Sequence, residues 1–277
     1  MSSFPILQVP TGWNTVEENS RMKSSSCASL RTSSAGQTAA HVVGFTNVDD
    51  RGQEGIELAY DEWLTGVPGS KQVIKDLYGH VIRDVQELSP ARPGRALDLS
   101  LDLRIQYLAY RELKAAIRKR SAKAGSVIVI DVTTGEVLAM VNQPSFNPND
   151  RAQYEVARYR NRAATDIFEP GSSIKPFVMA AALASGRYRT DSLVDATPFR
   201  VANKTIRDKH DLGTIDLADV LARSSNVGMA KIALSLEPAQ MHDILRALGF
   251  GEVTASGFPG ESAGLLSSVE HWRPINV

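Results

Sequence analysis

The 277-residue chain has a single cysteine, Cys27. A lone thiol forms no intrachain disulfide and no thiolate zinc cluster, and it leaves the redox compartment open. Charge of one sign is also missing: 31 Lys and Arg balance 31 Asp and Glu. Without a basic block there is nothing for a polyanion to grip, so nucleic acid is not an expected partner. No apolar run reaches the roughly 18 residues that a membrane-crossing helix needs. The first residues lack the basic start and apolar core of a secretory signal. The chain is therefore expected to carry neither anchor nor signal. No internal repeat is present, and no ligand cluster implies a metal or cofactor.

What is present is the composition of a globular protein, 43% hydrophobic and 22% charged, with enough length to bury a real core in one or two domains. The head, residues 1–37, has little hydrophobic period. Its tract Ser24-Ser25-Ser26-Cys27-Ala28-Ser29 is small and polar, so the head is expected to be disordered. His41-Val42-Val43-Gly44-Phe45 predicts a short strand, Asp49-Asp50-Arg51-Gly52 a turn, and residues 57–64 a helix ended at Gly66-Val67-Pro68-Gly69. Alternation around Tyr78-Gly79-His80 predicts a hairpin, and Ser89-Pro90 to Pro93-Gly94 a linker.

Beyond Pro93 the pattern changes. Residues 96–101 suit a strand. Leu103, Tyr107, Tyr110, Leu113 and Ile117 recur at helical spacing and predict an amphipathic helix over 103–120. Residues 126–132 and 136–141 flank Thr133-Thr134-Gly135 and predict a hairpin with a buried first strand. Helices are expected at 175–185, 217–223, 227–236 and 238–248, two of them closed by Gly186 and Gly249. No clear strand is evident after the hairpin. The class is α+β: an antiparallel sheet with helices packed on it.

One stretch carries chemistry: Glu169-Pro170-Gly171-Ser172-Ser173-Ile174-Lys175-Pro176-Phe177. It reads as a helix start with serine and lysine at i and i+3, on one face and about 5–6 Å apart at Cβ. A serine hydroxyl needs a neighbour to take its proton, and lysine serves only when burial or a nearby cation lowers its pKa. Free N–H groups at such a helix start favour a developing oxyanion. On spacing alone, a helix cap is the commoner explanation of Ser172, and Ser20…Lys23 repeats the spacing by accident. About fifty residues on comes Ser224-Ser225-Asn226. That triplet is also weak alone, since Ser145-Phe146-Asn147 has the same form. The order of the two motifs is what counts.

That order, Ser-x-x-Lys and then Ser-x-Asn, belongs to the penicillin-recognising serine enzymes. Residues 38–277 resemble a division-type class B penicillin-binding protein, a peptidoglycan D,D-transpeptidase of Gram-negative bacteria. The strings that carry the resemblance include Arg51-Gly52-Gln53-Glu54-Gly55-Ile56-Glu57, Leu101-Asp102-Leu103-Arg104-Ile105-Gln106-Tyr107, Gly135-Glu136-Val137-Leu138-Ala139-Met140 and Asn142-Gln143-Pro144-Ser145-Phe146-Asn147-Pro148, besides Glu169 to Phe177 and Ser224 to Gly228. The resemblance implies a serine β-lactamase-like transpeptidase domain over 96–277, preceded by part of a pedestal domain over 38–95, with 1–37 unassigned. It implies Ser172 as nucleophile toward the D-Ala-D-Ala carbonyl of a stem peptide and Lys175 as general base. Ser224 would relay the proton to the leaving amine and hold Lys175. Asn226 would bind the substrate amide, and the Ser172 N–H would form half of an oxyanion hole. β-Lactams would acylate the same serine, and no cofactor is needed. Division-complex proteins and a lipid-linked glycan polymerase are implied partners, and the family is anchored in the inner membrane with its catalytic domain in the periplasm.

The sequence departs from the family in two places. No Lys-[Ser/Thr]-Gly occurs, Lys204-Thr205-Ile206 being the nearest string, and residues 1–37 do not match the family's anchor region. The expectation is an incomplete transpeptidase domain with impaired activity. Two rival classes remain: a serine β-lactamase, against which the pedestal segment argues, and a binding module that keeps the fold without the chemistry.

Overall fold

The structure is a computed structural model that describes residues 6–8, 15–17, 36–75, 81–150 and 155–273. The tract 24–34, the Ser20…Lys23 pair and the turn at Tyr78-Gly79-His80 lie outside the described residues. Contacts divide the chain into two units, 1–166 with 257–261, and 167–256 with 262–277.

The first unit runs β1 (Ile6–Gln8), β2 (Thr15–Glu17), α1 (Ala40–Val43), α2 (Gly55–Ala59), α3 (Asp61–Leu64), β3 (Gly69–Lys75), β4 (Val81–Ser89), β5 (Asp98–Asp102), α4 (Leu103–Arg120), β6 (Gly125–Ile130), β7 (Val137–Gln143), α5 (Val156–Tyr159) and α6 (Arg162–Thr165). The head, expected to be disordered, contributes two strands. Each is held by a partner distant in sequence: β1 pairs antiparallel with β5, and β2 parallel with β3. Local composition carries no sign of such ladders.

The segment 41–45, expected as a strand, is a helical turn instead. Tertiary burial overrides the β-propensity of its valines, because one turn packs Ala39, Val42 and Val43 against Ile56, Leu64 and Leu101. Gly44 ends the turn at φ 81, where a Cβ would stand 1.7 Å from the Glu54 carbonyl oxygen. The helix expected over 57–64 is broken at Tyr60 (φ −120, ψ 27) into α2 and α3. Helix α4 occupies the expected residues. The Asp102 side chain caps it by accepting from the N–H groups of Arg104 and Ile105, and Arg118, Lys119 and Arg120 complement the dipole at its end.

The hairpin β6–β7 pairs Val127 with Val141 and Ile128 with Met140. Its burial is the reverse of the expectation. Strand β6 is half-exposed, with Ile128 and Ile130 facing solvent, whereas β7 buries Ala139, Val141, Asn142 and Gln143. The cause is position: β7 packs along α4 and against β5, with Ser100 Oγ donating to the Val137 carbonyl at 2.8 Å, while β6 packs less extensively on α4. Gln106 of α4, fully buried, ties the layers together. Its Nε2 donates to the carbonyls of Thr38 (2.8 Å) and Met140 (2.9 Å), and its Oε1 accepts from the Met140 N–H at 2.8 Å.

The second unit runs α7 (Lys175–Ala184), β8 (Leu193–Asp195), β9 (Phe199–Val201), β10 (Lys204–Ile206), β11 (Thr214–Asp216), α8 (Leu217–Ala222), α9 (Asn226–Ser235) and α10 (Pro238–Ala247). The four helices fall within a residue or two of their expected bounds. The four strands, three residues each, are too short to show alternation. They form a β9–β10 hairpin and a β8–β11 pair. Val178, Ala182, Val220, Ile232 and Leu245 form the centre of the core. Gly228 lets α9 approach α8, since a Cβ there would lie 2.8 Å from Val220 Cγ2.

Candidate active site

Glu169-Pro170-Gly171 leads into a 3-10 turn over Gly171–Ile174, and α7 begins at Lys175. Ser172 therefore sits in this tighter turn and not at the α-helical N-terminus that the sequence predicts. Side chains at i and i+3 eclipse in such a turn, so the spacing still sets Ser172 and Lys175 on one side. Pro176 is tolerated because the first helical turn has no N–H bond to lose. The Ser172 side chain is exposed, and among the described residues neither its hydroxyl nor its N–H has a hydrogen-bond partner.

Lys175 is the buried member, only 7% exposed. Its Nζ donates to the Ser224 carbonyl at 2.6 Å, to Asn226 Oδ1 at 2.7 Å and to Ser224 Oγ at 3.1 Å. An ammonium has three donors, and all three are used. Burial holds the Lys175 pKa below its ordinary 10.5, and the negative charge of Asp208 partly opposes that fall. The Ser224 Oγ contact is the longest of the three and the only one that can reverse, because a hydroxyl both accepts and donates. Loss of the lysine proton would leave a lone pair without breaking the other two bonds.

The corner that supplies these acceptors is shaped by backbone. Ser224 adopts φ 52, in the left-handed region. Ser225, 1% exposed, caps α9 by accepting from the Gly228 N–H at 2.8 Å. Asn226 is the first residue of α9. Three of the four expected site residues, Lys175, Ser224 and Asn226, are thus in direct hydrogen-bond contact. Ser172 lies one turn away, with no bond to them among the described residues.

One participant escaped sequence reasoning. Asp208, half-buried in the loop after β10, accepts from the N–H of Asn226 and from Ser225 Oγ–H, both at 2.5 Å, and from the Val227 N–H at 3.3 Å. It stands 18 residues before Asn226 in a loop of mixed charge, and nothing in that string marks it. The competing motifs go elsewhere. Ser145 Oγ donates to the Gln37 carbonyl at 2.9 Å, and Phe146 packs edge-on to His41, Phe45 and Tyr159 in the first unit. Lys204-Thr205-Ile206 is β10 of a short hairpin. Among the described residues no group of His, Cys, Asp or Glu is arranged to hold a metal, and no helix is long and apolar enough to cross a membrane.

Comparison with known proteins bears on the family of the chain. The family model described as "Penicillin binding protein transpeptidase domain" matches residues 125–276, and that described as "Penicillin-binding Protein dimerisation domain" matches residues 25–99. The chain is 42% identical over 241 residues to the peptidoglycan D,D-transpeptidase FtsI of Escherichia coli (strain K12), covering 87% of this chain and 41% of that protein. It is 41% identical over 242 residues to the probable peptidoglycan D,D-transpeptidase PenA of Neisseria gonorrhoeae, covering 87% and 42%. A crystal structure described as a peptidoglycan glycosyltransferase from Burkholderia ambifaria superimposes with a TM-score of 0.57 at 42% identity, over 64% of this chain and 52% of that one. The chain spans about two fifths of the length of the curated relatives it matches. With a transpeptidase match over more than half its residues, a dimerisation match before it, and relatives at this identity, the chain belongs to the penicillin-binding-protein transpeptidase family.

Proposed function

We propose that this chain carries the nucleophile and base of a peptidoglycan D,D-transpeptidase that works through an acyl-serine. The observation that supports this best is the buried Lys175 ammonium, held by Ser224 and Asn226 one turn from an exposed Ser172 hydroxyl that has no hydrogen-bond partner among the described residues. Neutral Lys175 takes the Ser172 proton as the oxygen attacks the carbonyl of the penultimate D-Ala. The developing oxyanion meets the free N–H of Ser172. Ser224 relays the proton to the leaving nitrogen, the peptide bond breaks, and the terminal D-Ala departs. Asn226 holds the substrate amide. The amine of a second stem peptide then attacks the ester, regenerating the Ser172 hydroxyl and forming the cross-link. A β-lactam ring opens onto the same oxygen and stays there. In this reading residues 38–95 belong to the pedestal and 96–277 to the N-terminal part of the catalytic domain. The setting is septal wall synthesis on the periplasmic side of the inner membrane, beside division proteins and a glycan polymerase.

The test is fluorescent-penicillin labelling, with Ser172→Ala as control. The 277 residues tested contain no Lys-[Ser/Thr]-Gly, and the absence of one oxyanion donor typically costs about 10²–10³ in rate, so slow but Ser172-dependent labelling of this polypeptide is expected. Fusion to the relative's segment bearing that motif should speed it. No Ser172-dependent label in either protein would refute the acyl-serine assignment. Continued β-lactam turnover would identify a β-lactamase. Co-purification with division proteins without any label would identify a binding module.

A further inference from the structure

Asp208 makes three hydrogen bonds to the Ser-x-Asn corner and the start of α9. One carboxylate oxygen accepts from two successive backbone N–H groups at the start of α9, those of Asn226 and Val227, and the other accepts from the buried Ser225 hydroxyl. Ser225 passes the constraint on by accepting from the Gly228 N–H. Both sides of the corner are therefore tied to one anion: Ser225 follows Ser224, which supplies two acceptors to Lys175, and Asn226 supplies the third. Helix α9 is ten residues long and has no acidic side chain in its first turn. Asp208 supplies from outside the helix the negative charge that its N-terminus favours.

We propose that Asp208 is a positioning residue for the Lys175 base: its carboxylate clamps the start of α9 so that Ser224 and Asn226 hold the lysine head in place. This rests on the acyl-serine reading for its consequence in catalysis, though not for its geometry. The clamp is also an electrostatic one. Among the described residues, Asp208 is the charged group that acts on Lys175, the facing atoms of Ser224 and Asn226 being neutral, and it favours the protonated lysine against the effect of burial. A residue that merely stiffened the loop would not set the pH at which Lys175 ionises.

The experiment uses the whole chain with 13C-labelled lysine Cε, the Lys175 signal being assigned with Lys175→Arg. Its titration is compared with that of Asp208→Asn, beside the pH profile of fluorescent-penicillin acylation. Asp208→Asn keeps an acceptor for the α9 N–H groups and removes the charge. Its Lys175 midpoint should move to lower pH, the acid limb of acylation should follow, and the plateau rate should fall by roughly tenfold as charge-assisted bonds become neutral ones. A folded Asp208→Asn with the wild-type Lys175 midpoint overturns the proposal. Asp208→Glu is the second probe: it keeps the charge on a longer arm, so acylation should fall several-fold at every pH with the Lys175 midpoint little changed. Wild-type acylation by Asp208→Glu across the pH range also overturns it. Should none of these proteins be acylated, the fusion bearing Lys-[Ser/Thr]-Gly decides the acyl-serine reading, and the Lys175 titration still decides the role of Asp208.

Discussion

Acid should loosen the first unit through His41, in a pH window of its own. The ring is buried, its Nε2–H donates to the Arg158 carbonyl at 2.8 Å, and it packs edge-on to Phe146 at 5.3 Å. Burial chiefly, and secondarily the positive charge of Arg162, lower its pKa from 6.5 to about 4, although the bond to Arg158 works the other way. The folded state prefers neutral histidine. The stability this contributes is complete above pH 6.5, where the unfolded chain is also neutral, and is lost as pH falls toward 4. At about 1.4 kcal/mol per unit, the gap amounts to about 3 kcal/mol at pH 4 and about 2 kcal/mol at pH 5. A loss of that size matters against a typical stability of about 5–15 kcal/mol. Asp61 and Asp166, held below the usual carboxylate value of 3.8, lose their contributions only at lower pH. Glu54, raised by burial, acts with the opposite sign but is common to both proteins compared. The assay is urea unfolding from pH 7.5 to 4, with hydrogen exchange of α4 peptides to isolate this unit. His41→Gln keeps a donor for Arg158 and cannot titrate, so its stability should change by less than about 1 kcal/mol over that window. Equal slopes for the two proteins would refute the argument.

Lys175→Ala should cut Ser172 acylation by about 10²–10⁴, the usual worth of a positioned general base. In the wild type the rate should rise with pH to a midpoint below the ordinary lysine value of 10.5. A rate that keeps rising to pH 10.5, or survives the substitution, would exclude Lys175 as the base. Gln106→Leu removes three hydrogen bonds and leaves groups of Thr38 and Met140 unpaired; at about 1–3 kcal/mol for each group so stranded, the urea midpoint should report a loss of about 3 kcal/mol, and a loss under about 1 kcal/mol would show that the network is not structural.

What the sequence made legible follows the range of the forces involved. Helix α4 was readable end to end because its causes are local: a cap at Asp102, apolar residues at helical spacing and a basic last turn. Helix α1 was misread because Val42 and Val43 have the local habits of a strand, and their burial against Ile56, Leu64 and Leu101 is non-local. Strands β1 and β2 were missed for the same reason, as their ladders reach β5 and β3 far along the chain. The site divides in the same way. Ser172 and Lys175 announce themselves by spacing within one turn, and Ser224 and Asn226 by their order after it. The bonds that join Lys175 to Ser224 and Asn226 span about fifty residues, and spacing alone did not contain them. Asp208 has no motif, because a carboxylate that receives backbone N–H groups needs only to arrive at the right place, and any sequence that brings it there will serve. Groups that react are constrained in type and spacing, so they leave a pattern. Groups that hold them are constrained in position, and their pattern appears only once the chain has folded.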